Sequence, residues 1–562
     1  MRREASVVNK KVCSFPILFA LLALLIGTCA VVFPASAQAA PTSTGSITVS
    51  GTVASSYDAY QIFSANVVDG DNDAKIATDL AWASDAVRDA ALPVLHSAGM
   101  PNSQTTAQEA AEWLNTDSHL TSALSAQLAR SLQSSGPVPV VLNANTAAEL
   151  PCGYWLIVAD DDAISQNEAG TAPIMALVGG SAVTVKPKAA TPKVAKHVLE
   201  DSTAAWQKAA DATIADDLYW RLSATVPAGL TAYDTYTVWF VDTMSAGLDP
   251  SKVAASMHVY VAAGADGGFD AVSAGKDGRA GTEPAKGWTD ITSQCATKVA
   301  ADGTFTVRTG DLIAALGGAD AFTAGARVVA VYNAPLNSAC NHGIAKGNAN
   351  EVYLRYPRSP FADQSGDAGF TRTPSDDACA YTWDLALTKR GSDGDKPLAG
   401  AVLSIADDRG RTLAADGTWD ADGKATVTTG EDGRVTVSGV DSGKLEVREL
   451  KAPKGYTAFE GTRSVTVKAE GLDVDQVAAA KPKLTITAEL PLRADSADGS
   501  TGSLEASLIN TPTGTPPSIT TGGFMPSTGD MAMYAAAAAA VAGAALIVVA
   551  LLVKRGGGSH KE

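Results

Sequence analysis

Apolar and polar residues alternate over short stretches through most of the chain, the period expected where successive side chains face opposite sides of a sheet. Ser46-Ile47-Thr48-Val49-Ser50, Tyr57–Phe63, Gly153–Val158 and Ala182–Val185 read as strands. Between them the period changes. Thr106 and Glu109 have capping-box spacing, and Leu120, Leu124, Leu128 and Leu132 recur every fourth residue, which predicts an inserted amphipathic helix with its leucines on a core. Strand patterns resume at Leu218–Val226, Thr235–Val241, Met257–Val261, Phe305–Val307, Val328–Tyr332 and Val352–Tyr356. A third set comprises Trp383–Lys389, Pro397–Leu403, Gly430–Val440, Leu445–Tyr456 and Leu504–Thr511. The pattern predicts a mainly β chain with modules at 44–188, 193–360 and 380–512, the first carrying the helical segment. The Pro/Lys-rich run Lys186–Lys193 reads as an extended linker, Ser359–Asp377 as a polar connection, and the Thr/Pro/Gly stretch 513–524 as a spacer with nothing to fold.

The ends change the picture. Arg2, Arg3, Lys10 and Lys11 precede an apolar stretch from Phe15 to Phe33, and Ala35-Ser36-Ala37 and Ala37-Gln38-Ala39 offer small-residue cleavage sites. A signal peptide over 1–39 follows, with an uncleaved anchor as the alternative. At the other end, Ala532–Val553 has the length to span a bilayer, and Lys554 and Arg555 open a basic tail, 554–562, that marks the cytoplasmic side. The 562-residue chain has a net charge of −17, which argues against nucleic acid as a partner. Of its cysteines, Cys13 and Cys29 fall in the signal, leaving Cys152, Cys295, Cys340 and Cys379. In an exported chain these can pair in three ways. Cys340 and Cys379 flank the second module boundary and are the preferred disulfide. No Cys/His spacing suggests a metal, and nothing calls for a cofactor. Asp69-Gly70-Asp71-Asn72-Asp73 approaches a calcium loop, but Ala74 and Leu80 stand where Gly and Glu are needed, so a solvated turn is expected. His119, His197 and His342 form no evident cluster, and no nucleophile elbow or HExxH motif appears, so no turnover site is expected.

Strand parity carries the chemistry. Trp383, Leu385, Leu387 and Lys389 share one face; Leu445, Val447 and Glu449 share another; Leu504, Ala506, Leu508 and Asn510 share a third. Each apolar face ends in a polar residue, and a Lys aimed inward demands a partner. Two readings follow: a buried Lys–Glu pair with Asn beside it, or a reaction. In the second, burial leaves Lys389 as a neutral nucleophile and Glu449 as a protonated acid able to donate to an amide carbonyl. Lys389 then attacks the Asn510 carbonyl and expels ammonia, leaving an isopeptide bond between the first and last strands.

Pro397-Leu398-Ala399-Gly400-Ala401, the run Glu449–Tyr456 and Asn510-Thr511-Pro512 resemble a CnaB-type immunoglobulin-like domain. That resemblance implies that Lys389, Glu449 and Asn510 form the family's internal isopeptide bond. The second module resembles the isopeptide-forming middle domain of fimbrial major subunits. Lys196, between Val194 and Val198, takes the nucleophile position, and Asp242-Thr243 fits the acidic motif. Its end departs from the pattern: parity from Val352, Leu354 and Tyr356 puts Arg358 where Asn is required. Either another Asn, such as Asn348 or Asn350, is the acyl donor, or Lys196 and Asp242 form a plain ion pair, the reading favoured here. Val183–Lys188 resembles the pilin motif of shaft subunits, which implies Lys188 as the acceptor lysine of the next subunit's acyl group, with Lys193 as rival. Met525-Pro526-Ser527-Thr528-Gly529 resembles the cell-wall sorting signal of Gram-positive surface proteins, with Met in place of the usual Leu. In that family a sortase cuts between Thr and Gly.

Together the resemblances imply tandem CnaA/CnaB-type β-sandwiches in a secreted, wall-anchored fimbrial subunit. Its expected partners are sortase, further pilin subunits and peptidoglycan. The favoured role is the major shaft subunit, with an accessory or basal pilin, or a stand-alone wall adhesin, as alternatives. Binding of a host glycan or matrix protein is compatible with this architecture. A wall-bound enzyme finds no support.

Overall fold

Most stretches of alternation become strands paired within a module; 397–401 and 235–238 lie outside the strands Val402–Ala406 and Trp239–Met244. The computed structural model describes residues 43–187, 191–264 and 287–514, apart from Asp117, Gly229 and Lys346. The signal 1–39, spacer 513–524 beyond Gly514, sorting residues, apolar run 532–553 and tail 554–562 lie outside the described residues. Among the described residues, no helix is long and apolar enough to cross a membrane.

In the first module, Thr44–Val49 is flanked by Ala147–Pro151 and Val183–Val185. A second sheet runs Lys75–Trp82, Ser56–Asp69, Gly153–Ala159, Ile174–Val178, with Val140–Asn143 also on Ser56–Asp69. Ile47, Val49, Tyr57, Trp155 and Ile157 fill the space between them. Gly153 sits at φ +142, opposite the register shift between Gln61 and Phe63, where a Cβ would fall 2.0 Å from the Phe63 carbonyl oxygen. Only glycine fits there. The helical insertion comprises α1 (Asp85–Ser97), α2 (Ala107–Asn115) and α3 (Ser122–Ser135). Thr106 and Glu109 form the expected capping box on α2. Leu124, Leu128 and Leu132 are buried against Phe63, Leu156 and Val158. Leu120 is exposed and precedes α3, because Thr121 caps that helix by accepting from Leu124 N.

In the second module, one sheet runs Ala205–Gln207, Val194–Glu200, Tyr219–Thr225, Arg327–Asn333, His258–Ala262, Thr289–Asp290. The other runs Ala209–Asp211, Asp376–Tyr381, Asn348–Pro357, Trp239–Met244, Thr304–Arg308, Ala296–Val299. Phe370–Arg372 joins its Asn348–Pro357 strand. A single core of Trp220, Leu222, Phe240, Val259, Phe305, Tyr332 and Leu354 lies between the sheets. The module therefore does not end near Pro360. Asp376–Tyr381, which the sequence reading splits between the end of a connection and the start of the next module, is an inner strand of its sheet. It pairs with Asn348–Pro357 on one side and Ala209–Asp211 on the other.

In the third module, Trp383–Gly391 lies between Arg434–Val440 and the final strand Ser503–Pro512. The facing sheet is built on Val402–Ala406, Gly443–Lys451, Thr462–Glu470 and Lys483–Ala488. The modules are in contact. Arg130 of α3 donates to the Ala232 and Pro360 carbonyls at 2.9 and 3.2 Å. Asp211 of the second module accepts from Trp383 Nε1 at 2.7 Å and Ser442 N at 3.0 Å.

Candidate functional site: two buried lysine clusters

The first and last strands of the third module are parallel neighbours, with Leu385 opposite Leu504, Lys389 opposite Leu508 and Gly391 opposite Asn510. Alternation sends Trp383, Leu385 and Leu387 into the core, and Lys389 follows them to 0% exposure. The Lys389 backbone is held by Gly433, whose carbonyl accepts its N–H at 2.8 Å. Gly433 has φ +72, and a Cβ there would fall 2.8 Å from the Lys389 carbonyl oxygen. Lys389 Nζ meets Asn510 Oδ1, and lies 3.3 Å from Glu449 Oε1. Asn510 Nδ2 donates to both Glu449 oxygens, at 2.9 and 3.1 Å. Phe459 N also donates to Glu449 Oε2, at 3.1 Å, and fixes the carboxylate. Parity predicted these three side chains; the Phe459 amide had no signal in sequence. One detail differs from expectation. Glu449 faces the amide nitrogen, the leaving group, rather than the carbonyl oxygen, which is occupied by the lysine. Burial lowers the Lys389 pKa to about 8, against the opposing pull of Glu449.

The second module builds a related cluster. Lys196, on Val194–Glu200, is fully buried, with Nζ 5.6 Å from the centre of the Trp220 ring. Lys208 donates to the Lys196 carbonyl at 2.9 Å, and Asp376 accepts from Lys196 N at 2.6 Å. Lys196 Nζ pairs with Asp242 Oδ2 and donates to the Tyr332 hydroxyl at 2.9 Å. That hydroxyl donates to Asp242 Oδ2 at 3.1 Å and accepts from Asn350 Nδ2 at 2.8 Å. Asp242 Oδ1 and Asn350 Oδ1 have no hydrogen-bond partner, although Asp242 and Asn350 are both fully buried. Burial lowers the Lys196 pKa to about 8 and raises that of Asp242 to about 6; their mutual attraction opposes both shifts.

The strand Asn348–Pro357 explains the missing asparagine. Asn350, Val352, Leu354 and Tyr356 all face inward, with Asp242 opposite Val352 and Met244 opposite Asn350. The polar residue is at the start of this face rather than its end. Arg358 lies beyond the strand and donates to the Asp161 carbonyl of the first module at 3.2 Å. Asn348 is buried elsewhere, bonded to Asn341 and to the Ala380 carbonyl. Thus Lys196 and Asp242 are not an isolated ion pair. Parity of Asn350 with Val352 was a readable signal for this; the part of Tyr332 was not.

Other expected sites fare differently. The four described cysteines are free thiols, so the expected Cys340–Cys379 disulfide is not found. Cys340 Sγ lies 3.7 Å from His342 Nε2, whereas Cys379 packs on Gly347, where a Cβ would fall 2.5 Å from its sulfur. Different neighbours occupy the two niches. Lys188 and Met525–Gly529 lie outside the described residues. Lys193 is exposed, with its backbone tied to Thr225: N donates to Oγ1 at 2.8 Å. Among the described residues no group of His, Cys, Asp and Glu is disposed to hold a metal ion.

Residues 384–481, which contain Lys389 and Glu449, match the family described as SpaA, prealbumin-like fold domain. The third module thus carries the SpaA-type prealbumin-like fold. Over 143 residues the chain is 29% identical to the trypsin-resistant surface T6 protein of Streptococcus pyogenes serotype M6, a match covering 24% of each protein. The chain thus spans about a quarter of the length of that relative. Among solved structures, the T6 backbone pilin of serotype M6 Streptococcus pyogenes aligns with 84% of this chain and 98% of its own, at 17% identity and a TM-score of 0.45. The major pilin SpaA of Corynebacterium diphtheriae aligns with 83% of this chain and 100% of its own, at 14% identity and a TM-score of 0.38.

Proposed function

We propose that this chain is a structural subunit of a covalently polymerised, wall-anchored fimbria, and specifically its shaft subunit. The observation that carries the reading is the Lys389–Glu449–Asn510 cluster, set across the adjacent first and last strands of the SpaA-type module. The sequence relation to the T6 surface protein supports it. A lysine with its pKa lowered to about 8 supplies a neutral amine near neutral pH. Its Nζ attacks Asn510 Cγ, the Cγ–Nδ2 bond breaks, and ammonia departs. Glu449 takes a proton from the lysine ammonium and stands beside the departing nitrogen. The product is an amide that ties the module's ends together. The second module makes the same bond from Lys196 to Asn350, with Asp242 as its acid.

Between subunits, sortase cleaves after Thr528 and joins its carbonyl to Lys188 of another copy; the last subunit passes to peptidoglycan. The role is mechanical, and adhesion to a host glycan or matrix protein is a property of the assembled fibre. Intact mass tests the internal bonds: each removes about 17 Da as ammonia, so the secreted chain falls short of its sequence mass by two such losses. One loss or none sinks the corresponding bond. Lys188→Ala tests the shaft role. High-mass ladders on denaturing gels are expected to vanish; a ladder that survives loss of both Lys188 and Lys193 overturns the shaft assignment.

A further inference from the structure

The two clusters differ in one atom's reach. Glu449 touches the Asn510 amide nitrogen directly, at 2.9 and 3.1 Å. Asp242 is one methylene shorter, and its bonds go to Lys196 and Tyr332. The Tyr332 hydroxyl stands in the gap. It is the single atom in contact with the nucleophile, the carboxylate and the leaving group, at 2.9, 3.1 and 2.8 Å. The ring is fixed edge-on to Phe305, with centroids 4.8 Å apart, and is fully buried. Burial and the nearby Asp242 charge hold the phenol well above its ordinary pKa, so it keeps its proton for transfer.

We propose that Tyr332 is a catalytic residue of bond formation in the second module, relaying a proton from Lys196 Nζ to Asn350 Nδ2. The inference rests on the reading that Lys196 and Asn350 react. The Lys196 ammonium first gives one proton to the Asp242 carboxylate. The neutral amine attacks Asn350 Cγ, and the amide nitrogen, now tetrahedral, gains a free electron pair. Tyr332 donates its proton to that nitrogen and takes one from Nζ. The Cγ–Nδ2 bond then breaks. The products are the Lys196–Asn350 amide, free ammonia, a restored phenol and a neutral Asp242 acid, so protons and charge balance. The third module has no need of such a relay, since its longer carboxylate reaches the leaving nitrogen itself.

The test uses the secreted full chain, the Lys196–Asn350 crosslinked peptide read by mass spectrometry over time after synthesis, and the Lys389–Asn510 peptide as an internal clock. In Tyr332→Phe the second-module bond is expected to form at least tenfold more slowly while the third forms normally. Asp242→Glu added to Tyr332→Phe recreates the direct contact of the third module and is expected to restore the bond. Formation at the wild-type rate in Tyr332→Phe overturns the relay. So does a slow bond that Asp242→Glu fails to restore, because that result makes the hydroxyl a packing element. A wild-type chain with no Lys196–Asn350 peptide removes the underlying reaction itself, and the relay with it.

Discussion

Lys389 and Lys196 are each carried into a core by the residues two and four positions away on the same strand face. Burial makes them chemically unusual, since a charge in a low-dielectric interior favours its neutral form. For Lys389 the sign of the pH dependence follows. Its pKa is about 8 in the fold against an ordinary 10.5. The folded module therefore binds fewer protons between those values. Its stability rises as pH climbs from about 8 toward 10.5 and loses this contribution as pH falls through 8. In an Asn510→Ala chain, which leaves the lysine free, the full effect is on the order of 3 kcal/mol. Denaturant unfolding of the third module at pH 7.5 and 9.5 is expected to show a gain at the higher pH, and Lys389→Met added to Asn510→Ala is expected to abolish that gain. Glu449→Gln removes the acceptor of the lysine proton. The secreted variant is expected to retain the ammonia of Asn510 and weigh about 17 Da more than the mass calculated for its own crosslinked form.

At the scale of elements, what matters is which strands the lysine joins. Lys389 and Asn510 are 121 residues apart, yet their strands are adjacent and parallel. A link there closes nearly the whole module into one loop. By the chain-entropy argument such a closure stabilises the fold by about 5 kcal/mol. For a domain of this size, Asn510→Ala is expected to lower the melting temperature of the third module by about 15–20 °C, measured by calorimetry. The helical insertion depends on local signals instead. Thr106 accepts from Glu109 N while Glu109 accepts from Thr106 N, and losing that reciprocal cap in Thr106→Ala is expected to cost about 1 kcal/mol.

Across the whole molecule, the joint between the second and third modules is acidic. Glu200, Asp201, Asp211 and Asp216 come from the second module and Asp441 from the third; Arg409 and Arg411 of the third pair with Asp216 at 2.9 and 2.5 Å. Desolvation first, then Asp211, raises the Glu200 pKa to about 8, and desolvation with Asp211, Asp201 and Glu200 raises that of Asp441 well above normal. Asp441, whose carboxylate neighbours all lie in the second module, therefore holds a proton in the docked joint that it gives up more readily when the modules separate. Docking strengthens as pH falls toward the ordinary carboxylate range and weakens as pH rises above it. The two modules, in a chain lacking both internal bonds, are expected to melt together near pH 5.5 and apart near pH 8 in calorimetry. Identical separation at both values would contradict this account of the joint.

The strand faces of the third module, the capping box of the helical insertion and the inward turn of Lys389, Glu449 and Asn510 were all legible in sequence, because side-chain direction follows from period and register within one strand. The second-module site was only half legible, for a related reason. Alternation says which face a residue shares but not which end of that face meets the next strand. Arg358 and Asn350 have the same parity, and only the pairing of Asn348–Pro357 with Trp239–Met244 brings Asn350 to the Tyr332 hydroxyl that Lys196 also bonds. The boundary at Pro360 failed in the same way, since Asp376–Tyr381 is a strand of the second module by virtue of partners nearly 170 residues away in the chain. The cysteines follow suit: their number and the expected export suggest a bridge, but pairing depends on distance, and the fold gives Cys340 and Cys379 different neighbours. Local pattern settles strand or helix, inward or outward, and where charge and apolar runs lie. Which inward groups meet, and so which lysine finds an acid, an amide and a phenol, was decided only by the tertiary structure, because contacts between distant strands depend on register and sheet order that no local pattern encodes.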